Sequence, residues 1–252
     1  MTNNKYFQRL LAITFVVAAW EITSLIASSK YFPHFSTELK TLGTLATSGA
    51  FWHTTLVTLA LTFTAFMCGI SIALVIGAVL GLLRSVELQS RATLNFLRTI
   101  PIVAILPILI GGFGSSEILV ISLTSAVVTL KFLIYVVRGI QISQNLYAQD
   151  VKLMRLPKHV QILQIYFPST LTLLAVGARL SFELALSTVV ICGLFVGTAG
   201  LGSALLQAET NSNISLVFAY VIVLGAIGVG INSLFSKCEK MISIRVGQNV
   251  KN

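Results

Sequence analysis

The sequence predicts an all-α integral membrane protein with six transmembrane helices. Three observations predict it. Hydrophobic residues make up 56% of the 252 and charged residues only 10%, against roughly 25% charged in soluble domains. Apolar runs recur along nearly the whole chain, and a membrane-spanning helix needs about 17–25 such residues. The cations gather at the ends of those runs rather than on one polar face, so the formal charge of +9 reads as membrane topology and not as nucleic-acid binding. One transmembrane domain, residues 1–252, accounts for the chain, and no soluble domain is expected.

Taken in order, the first span is expected at about 10–28, behind Lys5 and Arg9. A basic start, an apolar run and small residues after it resemble a signal peptide. The run is long enough to span and is read as an uncleaved helix, with Glu21 near its outer end. Residues 30–53 carry Pro33, Gly43 and Gly49 and are expected outside the cytoplasm, with a short interfacial helix. The second span, 54–83, carries Ala65, Gly69, Ala73, Gly77 and Gly81, spaced by four. That spacing puts them on one helical stripe, where a second backbone can approach closely. Two readings stand: static packing, or a seam that slides during a cycle.

Arg84, Arg91 and Arg98 mark the next cytoplasmic segment. The third span, 99–113, is short and holds Pro101 and Pro107, and broken helices in membranes line a cavity or are buried by neighbours. A pathway-lining hinge and an ordinary kink both fit. The fourth span, 118–137, holds Lys131, whose amine can snorkel to the interface. The fifth, 168–190, holds Arg179 and Glu183, four apart and able to pair near mid-bilayer. They are read either as a lining of the translocation route or as a buried packing pair. Residues 192–213 combine four glycines with a short amphipathic piece that faces outward. The last span is 214–235.

Between the fourth and fifth spans, residues 141–167 form the longest polar interruption of the second half. Lys152, Arg155 and Lys158 make it cytoplasmic. Its apolar positions fall near helical spacing, and Pro157 disfavours helix at Leu156. The expectation is a short helix, a turn at Leu156-Pro157, and a second helix entering the membrane at Pro168. A folded, basic, partly apolar element between two spans suggests a docking surface for a soluble partner. Thirteen of the seventeen lysines and arginines fall in segments assigned to the cytoplasm, which places both termini inside.

No enzymatic constellation is visible. The three histidines, His34, His53 and His159, lie far apart in sequence, the three cysteines have no paired spacing, and no metal site or phosphate-binding glycine loop is present. The chain is expected to hold no cofactor, with any ATP on a separate subunit.

The run FLRTIPIVAILPILIGGFGSSE from Phe96 to Glu117, with Gly177-Ala178-Arg179-Leu180 and Gly200-Leu201-Gly202, resembles a known family. These segments are similar to permease subunits of binding-protein-dependent ABC importers, in the nitrate, sulfonate, taurine, thiamine-precursor and riboflavin branch. The resemblance implies the MetI-like, type I permease architecture. It implies a second permease subunit, identical or not, ATPase subunits on the cytoplasmic side, and an extracytoplasmic substrate-binding protein, all around a bacterial inner membrane. The family's cytoplasmic loop carries Glu-Ala-Ala and a glycine four residues on. Aligned on Pro168, those positions hold Gln149, Asp150, Val151 and Arg155, so frame and length fit while the signature residues differ. The resemblance makes Gln149, Asp150, Lys152, Arg155, Leu156, Pro157, Lys158 and His159 the ATPase-docking candidates, with a coupling helix at about 157–164. Substrate-path candidates are Pro101, Pro107, Arg179 and Glu183. Rival readings are a channel or carrier that needs no ATPase, and a membrane scaffold that does not transport.

Overall fold

A computed structural model describes residues 3–26 and 32–245. The described residues are helical and hold no strand. Helix α1 is Asn3–Ile26, α2 Phe35–Ala46, α3 Gly49–Leu82, α4 Arg84–Thr99, α5 Ile102–Phe113 and α6 Glu117–Leu146. Then come α7 Ala148–Met154, α8 Lys158–Val160, a π-helical turn Gln161–Tyr166, α9 Phe167–Val196, α10 Leu201–Thr210 and α11 Ile214–Arg245.

Helices α3, α6 and α9 pack together at the centre, and α11 lies against α9. The glycine stripe explains the tightest of these contacts. Ala65 and Ala73 are fully buried. A Cβ added at Gly69 would stand 2.6 Å from Val128 Cβ, and one at Gly77 2.7 Å from Val136 Cβ. Gly81 meets Ile140 in the same way. The stripe thus lets α6 lie directly on the α3 backbone. Ser125 Oγ donates to the Ala65 carbonyl and Thr129 Oγ1 to that of Gly69, both at 3.1 Å. Such bonds across helices add to packing where lipid offers no hydrophobic drive. Above and below, Leu61, Val120 and Val189 form one apolar layer, and Leu80, Leu133 and Leu174 another.

Four helices, Gly49–Leu82, Glu117–Leu146, Lys158–Val196 and Ile214–Ile244, are long and apolar enough to cross a membrane. The expected short span at 99–113 falls on α5, which has only 12 residues. Arg84–Thr99 and Ala104–Phe113 meet at 89°, so they count together as at most a fifth, broken crossing. Pro101 stands at the bend in extended conformation, where its fixed φ and missing N–H stop the helix. The expected first span at 10–28 ends outside the described residues, and the apolar part of α1, Thr14–Ile26, is shorter than the other four. The helices also outrun the expected spans 118–137, 168–190 and 214–235. Hydropathy marks only the part that needs lipid, and a helix continues into water wherever caps and packing support it.

At the end opposite the α6–α9 connection, α1 and α2 meet in a polar corner. Glu21 accepts hydrogen bonds from the Phe35 amide and the His34 ring at 3.0 and 2.9 Å, and so caps the first turn of α2. Trp20 packs on Phe32, Phe35 and Phe218, while its indole N–H donates to the Pro33 carbonyl at 3.0 Å.

One residue of α2 is out of character. Glu38 is fully buried, and neither carboxylate oxygen has a hydrogen bond of normal length. Burial pushes its carboxyl above the ordinary carboxylate range, with the Ser215 side chain offsetting part of that effect. A raised folded-state pKa penalises folding wherever the unfolded carboxylate is ionised, above about pH 4.3. Glu38→Gln is therefore expected to stabilise the protein by about 1 kcal/mol at pH 7. The advantage should vanish below about pH 4, where both states of the wild-type carboxyl are protonated. Thermal melts of the two proteins from pH 4 to 7 check this, and a pH-independent gap would refute it.

Candidate functional site

The α6–α9 connection is an elbow built in three steps. Helix α7 is held at its base by the buried Val151. It ends at Arg155, which adopts the left-handed conformation with φ 48° and ψ 40°. That conformation costs an L-residue roughly 1–2 kcal/mol and glycine almost nothing. The resemblance aligned a glycine at this residue, and a left-handed backbone is the conformation glycine adopts most readily. Leu156 and Pro157 then reverse the chain, and Gln161 Nε2 donates to the Leu156 carbonyl at 2.7 Å, closing the turn.

From Lys158 the chain runs as one helix to Val196. The expected coupling helix at about 157–164 coincides with the first part of this continuous helix. The π turn explains how Pro168 is tolerated. Pro168 has no N–H and crowds the carbonyl four residues back. Widening the preceding turn, with the Phe167 amide reaching the Ile162 carbonyl, relieves that crowding.

The elbow is welded to α6. Ser169 Oγ donates to Ser143 Oγ at 2.6 Å, and Ser143 Oγ in turn donates to the Gly139 carbonyl at 2.8 Å. Thr170 packs so tightly on Gly139 that a Cβ there would lie 2.1 Å from Thr170 Cγ2. A force applied at the elbow thus reaches α6 and α9 together. Sequence reasoning passed over Ser143, Gln161, Ser169 and Thr170, because hydroxyls and amides at helical spacing carry no signature until their partners are known.

The elbow's outer surface presents what a protein partner can grip. Gln149, Asp150, Lys152, Arg155, Pro157, Lys158 and His159 are exposed, and Leu156 is half-buried. Leu153, Met154 and Leu163 are 82%, 68% and 67% exposed. Exposed apolar side chains set among lysines are of the kind that protein partners grip.

The substrate-path candidates do not form one group. Pro101 sits at the α4–α5 bend and Pro107 inside α5. The expected Arg179–Glu183 pair is corrected. Arg179 Nη1 instead donates to Glu239 Oε2 and Ser236 Oγ of α11, each at 3.2 Å. Measured back from Val196, Arg179 lies about 26 Å along the helix, near one edge of a roughly 30 Å hydrocarbon layer and not at its middle. A long guanidinium there reaches away from lipid, toward the polar end of α11. Glu183, one turn deeper, has no hydrogen bond or ion pair through its carboxylate among the described residues. It lines a cavity of about 360 Å³ with Leu186, Val190, Leu224 and Gly228. Lys131 lines a different cavity, of about 420 Å³, beneath the α4–α5 bend with Arg98 and otherwise apolar side chains.

Residues 65–243 match the family described as "Binding-protein-dependent transport system inner membrane component". The chain is 24% identical over 239 residues to a putative aliphatic sulfonates transport permease protein of Bacillus subtilis, covering 94% of this chain and 87% of that protein. It is 25% identical over 200 residues to the bicarbonate transport system permease protein CmpB of Synechococcus elongatus, covering 77% and 70%. Its fold resembles the MetNI methionine ABC transporter in inward-facing conformations, with a TM-score of 0.66 at 18% identity over 73% of this chain and 92% of that one. Bundle, elbow and family match converge. The chain belongs to the inner-membrane components of binding-protein-dependent transport systems, as a transmembrane permease subunit of an ATP-driven ABC importer.

Proposed function

We propose that this permease imports a small oxyanion, with ATPase subunits seated on the elbow at the cytoplasmic end. The observation that carries the reading is the rigid, exposed elbow joined to both α6 and α9. Closure of two ATPases on ATP would move the elbows of two permease subunits, and with them the central helices, as rigid bodies. A binding protein on the opposite side would deliver the ligand. The sulfonate and bicarbonate relatives share anionic cargo. Lys131 supports the same class here. It lines an apolar cavity with Arg98 and has no hydrogen bond or ion pair among the described residues, and a cation held within a bundle is a functional residue by default.

The test is uptake into proteoliposomes holding the permease, its ATPase and its binding protein. Ethanesulfonate, bicarbonate and nitrate serve as labelled probes. ATP-dependent uptake of at least one is expected, falling at least tenfold in Lys131→Gln, the loss of one charge-assisted contact, while ATPase association is unchanged. Uptake that persists without the ATPase would establish a carrier instead, and uptake unaffected in Lys131→Gln would remove Lys131 from the path.

A further inference from the structure

We propose that the cavity between α4 and α6 binds the headgroup of an anionic glycerophospholipid, such as phosphatidylglycerol, from the cytoplasmic leaflet. The cavity measures about 300 Å³ and is lined by Arg91, Arg98 and Arg138 against the single carboxylate of Glu87, with Asn95 and Gln141 beside them.

Two of the arginines are already engaged. Arg91 pairs with Glu87. Arg98 Nε donates to the Leu130 carbonyl at 3.1 Å, and its Nη1 donates to Asn95 Oδ1 at 3.2 Å. Arg138 makes no hydrogen bond or ion pair among the described residues. Gln141 Nε2 is fully buried and has no acceptor. Arg138 is thus an unspent cationic donor lining the cavity, while Gln141 Nε2 lies behind the cavity wall and reaches an occupant only if its side chain turns. What fills the cavity must be negative and must accept hydrogen bonds. Glu87 Oε2 is the complementary case, buried and without a donor. A glycerol hydroxyl beside a phosphodiester is a donor of the kind it lacks.

Depth and surroundings favour lipid as the source. Arg138 lies about 32 Å along α6 from Glu117, just past the roughly 30 Å of hydrocarbon and level with headgroups. Helix α4 leaves Val86, Phe96 and Leu97 exposed alongside its arginines. An amphipathic helix of that kind lies in the membrane interface. A soluble anion has no use for this apolar rim, but the acyl chains of a lipid do. Basic pockets between helices on the cytoplasmic side are suited to anionic headgroups.

The assignment to the inner leaflet rests on the orientation proposed above, and the test reads lipid binding without depending on it. The full chain is purified in mild detergent and placed in nanodiscs of phosphatidylcholine, with or without phosphatidylglycerol. Phosphatidylglycerol should raise the melting temperature and co-purify in native mass spectra. Arg138→Gln should weaken its binding at least tenfold, Gln141→Leu should weaken it less, and Arg138→Lys should restore most of it. Lys237→Gln, which removes one exposed charge at the same end of the bundle, should leave binding unchanged. Equal retention of phosphatidylglycerol by wild type, Arg138→Gln and Gln141→Leu would overturn the proposal. So would equal stabilisation by millimolar inorganic phosphate in phosphatidylcholine alone, which would identify a soluble anion as the ligand.

Discussion

Gly69→Ala should destabilise the bundle by about 2–3 kcal/mol, the upper range for one methyl forced into a filled core. The added carbon would lie 2.6 Å from Val128 Cβ and 2.8 Å from the Ser125 carbonyl oxygen. A rotamer change cannot clear either contact, because one partner is a branch point and the other is backbone. Helix α6 would have to lift from α3, stretching the Thr129 bond to the Gly69 carbonyl. Gly225→Ala on α11 is the matched control. Nothing lies within 4 Å of a Cβ there, so alanine should be neutral or stabilising by about 0.5–1 kcal/mol. Thermal unfolding in detergent measures both. The double variant Gly69→Ala/Val128→Gly, which removes the Val128 Cβ itself, should recover part of the loss, while the Ser125 carbonyl contact remains. The experiment also separates the two readings of the stripe. Fixed packing predicts lost stability; a sliding seam predicts normal stability with slowed transport. The cross-helix hydrogen bonds favour fixed packing.

Leu153→Asp combined with Lys158→Glu should weaken ATPase association at least a hundredfold. Leu153 is among the most exposed apolar side chains of the described residues, and Lys158 opens the helix that continues into the bundle. A central interface anchor is worth about 2 kcal/mol or more, and reversing a neighbouring charge adds repulsion and slows association. Neither side chain is buried in the permease, so the melting temperature should stay within about 1–2 °C, as for surface substitutions generally. Affinity is read by pull-down or interferometry in detergent with the ATPase. Undiminished association would remove the elbow as the docking surface, whatever the protein transports.

Much of this architecture can be read from residue order alone. Leu156-Pro157 placed the turn of the elbow, because proline acts through its own covalent geometry. The four-residue spacing from Ala65 to Gly81 likewise fixed which face of α3 could accept another helix, because helical periodicity is local. The bend at Pro101 was legible as a break, but its 89° angle was not, since that angle depends on what α5 packs against. Arg155 shows the limit from the other side. Its side chain gives no local sign of the left-handed conformation that the backbone angles disclose.

The candidate site divides the same way. The basic character of residues 141–167 and the presence of charges within apolar runs are properties of the sequence, but the depth of Arg179 is not. Neither is partner choice. Arg179 and Glu183 satisfy the spacing rule for a helical pair, yet Arg179 bonds Glu239, sixty residues away. Composition and periodicity determined a greasy helical bundle and the place of its basic elbow, because lipid solvation and backbone sterics act on each segment separately; the resemblance to importer permeases came from a few short segments such as Phe96 to Glu117. Only the tertiary structure decided which helices share the glycine seam, what Arg179 pairs with and which charges are left over, because those outcomes depend on distances between segments far apart in the chain.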